Sequence, residues 1–426
     1  MGAIELIRLR FDNPKLFALT LIIAILAGSY FSYAVTNSVV IPNSGTISLS
    51  EIIAKSGSTA DIQAAVNTMA AAGGGTVHIP PGTFYWNGGT VTIRQGVNII
   101  GASYAGCSGH ETGWTTYTAQ TILHNNASTG SPMFSVTGTT NTRISGIQFE
   151  SVAPTRPDSG EISNHIFLTQ CKNFRVDHCT FINGAENSVV NTLNWETGTS
   201  AYGVIDHCYV YEPYKLAGSG WLWAYGFYSI GAMDYNKGPW DTNLTHFLGK
   251  YQAVTNCAMT YVEDCHFSYS RHCTDALQGG WNVVRYCLAD HNYPEYGSID
   301  SHGTVDGGRY WGARGQEAYF NTVNGVVGED GNNAGIRLRG GAGFFFNNTI
   351  NGVDPLSYGI QLDDYDLSTL DPITNIHNTY VWNNKCTNCI ALNVLQGTQN
   401  VDYFLRAPSQ AQDGFIYTPY TYPIAP

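Results

Sequence analysis

Short runs in which apolar and polar residues alternate recur along this chain. Phe174-Arg-Val-Asp-His-Cys-Thr-Phe181 returns as Gly203-Val-Ile-Asp-His-Cys-Tyr-Val210, Thr260-Tyr-Val-Glu-Asp-Cys-His-Phe267 and Asn282-Val-Val-Arg-Tyr-Cys-Leu-Ala289. Weaker copies begin at Arg143, Ala318, Phe345 and Val381. Alternation of period two predicts strands with one apolar face, and the Asn and Gly residues that close each copy predict turns. Aligning Ile147, Cys179, Cys208, Cys265, Cys287, Asn321, Asn348 and Lys385 gives steps of 32, 29, 57, 22, 34, 27 and 37 residues. The step of 57 is expected to hold two turns. Strands at such intervals, without long helical stretches between them, predict an all-β solenoid rather than βαβ units. Equivalent residues then stack about 4.8 Å apart. Cys179, Cys208, Cys265 and Cys287 are expected to form an interior ladder of small apolar side chains.

An open solenoid exposes an apolar end, which calls for a cap. Thr59-Ala-Asp-Ile-Gln-Ala-Ala-Val-Asn-Thr-Met-Ala-Ala-Ala72 places Ile62, Val66 and Met69 on one helical face, and Gly73-Gly-Gly75 stops it. Further upstream, Arg8, Arg10 and Lys15 precede an uncharged run from Leu16 to Ala34. Its flanks, length and small residues at Ser32 and Ala34 predict a secretory signal peptide, with an uncleaved membrane anchor as the rival. The expected organisation is 1–34 signal peptide or anchor, 35–57 linker, 58–405 parallel β-helix and 406–426 Pro/Tyr-rich tail. The body is expected to be extracellular or at the cell surface, touching a membrane only through residues 16–34 if these stay uncleaved.

Composition narrows the partners. Only 12% of the 426 residues are charged and the formal net charge is -12. Without residues 1–34 the balance is 17 basic against 30 acidic residues, or -13. Such a chain has no basic stripe for nucleic acid. A polyanionic partner needs a local basic cluster or a bound cation; the sequence assigns no cofactor and no metal ligands, and Ca2+ is the candidate ion. The ten cysteines suit an oxidising compartment. Cys386-Thr-Asn-Cys389 has no second CxxC to complete a zinc site, which leaves a local disulfide or two thiols.

The segments Ala60-Asp-Ile-Gln-Ala-Ala-Val66 and Gly73-Gly-Gly-Thr-Val-His-Ile-Pro-Pro-Gly-Thr-Phe84 resemble the opening of pectin-lyase-like proteins. That resemblance implies a right-handed parallel β-helix over about residues 50–400, and polysaccharide lyase or hydrolase activity. Phe174–Phe181, Arg337-Leu-Arg339, Gly341 and Asn347-Asn348 also resemble calcium-dependent pectate lyases. The proton-abstracting Arg of that family falls three residues before Arg337, where this chain has Ala334, and its accompanying Pro falls at Ile336. Thr274-Asp275, Ser301-His302-Gly303 and Arg337-Leu-Arg339 resemble polygalacturonase motifs, but the paired aspartates between them are missing.

Charge concentrates between Glu263 and Arg339. Asp275 and Asp300 are 25 residues apart, and Asp290 and Glu317 are 27 apart, about one turn each. Carboxylates on neighbouring turns would stand about 5 Å apart, a spacing that suits a retaining hydrolase or a cation site. The candidate catalytic residues are Asp275, Asp300, His302, Glu317, Arg314, Arg337 and Arg339. His302 is the candidate proton carrier, Asp300 its orienting partner, and Arg314 or Arg337 a clamp for a substrate carboxylate. Convergence requires these side chains to point outward on one side. Trp221, Trp223, Trp240, His272, Asp290 and His291 are candidate substrate-binding residues, the tryptophans as stacking platforms for sugars. The expected function is cleavage of an acidic extracellular polysaccharide by hydrolysis or β-elimination, with a non-catalytic glycan-binding solenoid as the alternative.

Overall fold

The computed structural model describes residues 50–126, 131–151, 165–183, 188–193, 200–212, 225–230, 257–290, 299–303, 312–326, 334–353, 355–363 and 375–421. Their strands assemble into three sheets, A, B and C, of 12, 10 and 10 strands. Each coil contributes one strand to each sheet in turn, as Lys172–Asp177 to A, Thr180–Ile182 to B and Ser188–Leu193 to C. All strand pairings within the sheets are parallel, as in Val204↔Tyr261 of sheet A and Arg337↔Gln361 of sheet C. This is the all-β parallel β-helix expected from the repeat.

The α-helix Thr59–Ala71 caps the first coils. The Ser58 side chain accepts a hydrogen bond from the Asp61 N–H, which satisfies one of the helix's free donors. Ile62, Val66 and Met69 are buried against the interior, as their spacing predicts. The strand Glu51–Ile53 pairs with Gly75–His78, so the solenoid begins inside the segment expected to be a linker. The signal peptide or anchor expected at 1–34 lies outside the described residues. No helix among the described residues is long and apolar enough to cross a membrane.

Inside the solenoid, Phe134, Phe149, Phe181, Phe227 and Phe267 follow one another with ring centroids 5.2–6.2 Å apart. Each fully buried ring contributes roughly 1.5–3 kcal/mol. Cys179, Cys208, Cys265 and Cys287 are all buried at the turn from sheet A to sheet B. The residue before each of them takes a left-handed conformation, with φ between 50° and 56° at His178, His207, Asp264 and Tyr286. Downstream the same corner is held by amides. Asn321 Nδ2 donates to Asn348 Oδ1 at 3.0 Å, and Asn348 Nδ2 to Asn384 Oδ1 at 2.8 Å. The last member of this row is therefore Asn384, one residue before the Lys385 expected from the alignment. Cys386 and Cys389 form a disulfide.

The step of 57 residues also differs from expectation. The strand Ser200–Asp206 pairs directly with Cys257–Glu263, so Cys208 and Cys265 are one coil apart, not two. The extra length lies outside sheet A, between strands that remain in register.

The outer face of sheet A carries a second apolar layer. Tyr319, Phe346 and Trp382 stack at 4.6 and 4.3 Å, while their neighbours Ala318, Phe345 and Val381 face the interior. The C-terminal segment covers this layer with Phe415, Tyr417 and Tyr420. The tail is thus part of the fold.

Candidate active site on sheet C

Three successive strands of sheet C, His272–Leu277, Ile299–Ser301 and Ala334–Leu338, carry a dense group of titratable side chains. Ile299, Ile336 and Leu338 belong to the interior core, so the alternation turns Asp300 and Arg337 to the outer face. Pairing of Thr274 with Ile299 sets Asp275 beside Asp300, and Asp300 pairs with Arg337 and Arg337 with Gln361. These residues form one column running across the strands. Interior amides hold its backbone from behind. Asn282 Nδ2 donates to the carbonyl of Asp275 at 2.7 Å, and Gln316 Nε2 to that of Asp300 at 3.0 Å.

Asp275 and Asp300 are both fully buried. Arg339 grips Asp300 with two nitrogens, Nε at 3.2 Å from Oδ1 and Nη2 against Oδ2. His272 Nε2 lies 3.5 Å from Asp300 Oδ2. His302 Nε2 reaches both carboxyls, 3.3 Å from Asp275 Oδ2 and 3.9 Å from Asp300 Oδ2. Arg337 is paired to Asp363.

Burial, together with the neighbouring Asp300, pushes the Asp275 carboxyl well above the usual range. Burial also raises Asp300, but the charges of Arg339 and Arg337 oppose it. A proton shared by the pair therefore favours Asp275, and Asp300 is the member whose charge Arg339 stabilises. His302 is driven well below its ordinary value by burial and by Arg339. These causes favour the neutral imidazole beside the two carboxyls.

His272, Asp300 and His302 offer ligand atoms within 4.8 Å of one another, the spread of a metal-binding group. The donors do not fit the candidate Ca2+, which takes oxygen ligands, whereas two of these three are imidazoles. The single carboxylate is already neutralised by Arg339, and the charges of Arg271 and Arg337 bear on the same group. The cluster is an ion-paired network rather than a cation cage.

Other expected residues fall elsewhere. Glu317 lies on sheet A, where it accepts hydrogen bonds from Trp281 Nε1 and the hydroxyls of Tyr417 and Tyr420 beneath the C-terminal segment. It does not join the Asp275–Asp300 column, and its pairing with Asp290 fails because Asp290 ends a strand of sheet B. Arg314 sits at the corner where the chain enters sheet A. The cluster expected to be exposed is buried, and among its described residues His302 keeps the most surface, 15% of its side chain. Trp221, Trp223, Trp240 and His291 lie outside the described residues. Sequence reasoning missed Asn282, Gln316, Gln361 and Asp363. A polar amide at an interior repeat position was the available signal for the first two.

No protein-family model matches the chain, and no curated protein does. Among solved structures, the chain is similar to an exopolygalacturonase from Thermotoga maritima at 12% identity and TM-score 0.43, over 79% of this chain and 80% of that one. It is also similar to PfbA, a surface adhesin of Streptococcus pneumoniae, at 11% identity and TM-score 0.43, over 78% and 89%. The catalytic domain of a GH87 α-1,3-glucanase matches at 13% identity and TM-score 0.36, over 91% and 70%. These likenesses concern the fold alone.

Proposed function

We propose that the protein is an exported glycoside hydrolase that cleaves an acidic polysaccharide at the Asp275–Asp300 pair. One observation carries this reading: two fully buried carboxyls stand side by side on neighbouring coils, and only Asp300 is ion-paired to Arg339, while burial and its neighbour raise Asp275 well above the usual range. Glycosidic hydrolysis needs such a division of roles.

Asp275 is the general acid. Its proton passes to the glycosidic oxygen as the bond to the anomeric carbon breaks. Asp300 sits on the neighbouring strand, about 4.8 Å away, which matches the ~5 Å separation of a retaining pair. Its carboxylate attacks the anomeric carbon and forms a glycosyl-enzyme ester. Water then displaces the ester while Asp275, now ionised, takes the water's proton. Arg339 and His272 orient Asp300, and neutral His302 holds the two carboxyls in place. Substrate reaches the pair from the side of His302, the member with surface in solvent.

An acidic substrate is supported by the arginines gathered at the site: the charges of Arg339, Arg271 and Arg337 all bear on His302, and a guanidinium is a partner for a substrate carboxylate. Elimination has less support, because Ala334, a buried apolar residue, stands where the resembling lyases place their base. Proton NMR of the first product formed tests the mechanism. A retained anomeric configuration is expected, and an inverted one rejects Asp300 as nucleophile.

A further inference from the structure

The column that carries the two carboxyls continues beyond them. Arg337 pairs in register with Gln361, and Gln361 with Asn393. Ile360 and Leu362 on either side of Gln361 belong to the interior core, so the amide faces outward with Asp300 and Arg337. Gln361 is fully buried, yet neither Oε1 nor Nε2 has a hydrogen-bond partner. Half-buried Asn393 has an unpartnered Nδ2 on the next coil. Buried amides are almost always paired, so two successive carboxamides with idle atoms in one row are atypical. Arg337 beside them is already balanced by Asp363.

We infer that Gln361 and Asn393 form a substrate subsite that reads uncharged sugar hydroxyls, two and three coils away from Asp300. This rests on the proposed glycan-cleaving site and extends it. An amide offers one donor group and one acceptor, the complement of a hydroxyl, which is both. It has no charge to offer a carboxylate. Strands about 4.8 Å apart put Gln361 roughly 10 Å from Asp300, about two pyranose units along a chain lying on the column. The subsite therefore engages long fragments and leaves short ones untouched. It also selects for a free hydroxyl at that unit, because a site built to bond a hydroxyl rejects a substrate lacking it.

The test uses the full chain and its Gln361→Leu variant, with short and long fragments of polygalacturonate, alginate and an α-glucan as probes. Cleavage, equilibrium binding and thermal unfolding are each measured. Leucine is apolar and of similar size, so it removes the idle amide without opening a cavity, and a raised unfolding temperature is expected. KM for long fragments should rise by about tenfold, the loss of one or two hydrogen bonds, with kcat little changed and short fragments unaffected. Equal loss on short and long fragments, or no loss on either, overturns the subsite while leaving the hydrolase reading intact. If the wild type cleaves nothing but binds long fragments in a Gln361-dependent way, the hydrolase reading fails and the subsite stands. Absence of both cleavage and binding overturns both.

Discussion

The side-chain amide of Asn282, inside the solenoid, donates to the backbone carbonyl of Asp275, whose own side chain points out. The same Asn282 accepts a 2.6 Å hydrogen bond from Ser229 Oγ, which also bonds Thr260 Oγ1 at 2.6 Å. An interior polar chain crosses from sheet A to sheet C and fixes one carboxyl of the candidate pair from behind.

Replacing Asn282 by Ala strands the Asp275 carbonyl and the Ser229 hydroxyl in the core. A loss of about 1–3 kcal/mol is expected, read from urea unfolding. Catalysis should lose kcat rather than KM, since the displaced strand moves the acid and not the remote sugar contacts. Gln316→Ala should act in the same way through Asp300. A variant that unfolds normally with unchanged kcat would remove these amides from the account.

The two carboxyls should differ in their effect on stability. Asp275 holds its proton, so Asp275→Asn replaces one neutral group by another and should shift unfolding little. Asp300→Asn leaves Arg339 buried without its counter-charge, which costs about 3–5 kcal/mol. Urea midpoints of the two variants check this order. The reverse order would place the proton on Asp300.

Glu317 gives the fold a pH dependence separate from the site. Burial pushes its carboxyl up to about 7, against an ordinary 4.5. The folded state therefore holds a proton that the unfolded chain releases between these values. Stability should be greatest below about pH 4.5 on this account, fall as pH rises, and level off above about 7. The total is about 3 kcal/mol. Glu317→Gln should abolish this slope and be the more stable protein in alkaline solution. Thermal unfolding of both proteins across that range would expose the error if their curves ran parallel.

Much of this architecture was legible in the chain. Alternating runs with a shared Cys or Asn marked the coil, and the 25-residue step from Asp275 to Asp300 marked neighbouring strands of one face. Coil length alone does not say which of three faces a residue occupies. Glu317 follows Asp290 at nearly the same step, yet the two lie on sheets A and B. A long insertion between in-register strands imitates an extra coil, which is why the step of 57 misleads. The slip from Asn384 to Lys385 has no such cause, since the copies that begin at Phe345 and Val381 place Asn348 level with Asn384. Burial of an outward charged column cannot be read from period-two alternation, which reports direction and not what lies above.

The most direct measurement follows cleavage of an acidic polysaccharide by the wild type, Asp275→Asn and Asp300→Asn, with and without a chelator. New reducing ends and the ultraviolet absorbance of unsaturated products are recorded together. The account predicts reducing ends without absorbance from the wild type, no effect of the chelator, and at least ~100-fold slower cleavage by each variant. Absorbance rising with the reducing ends, dependence on added calcium, or full activity in either variant would contradict it.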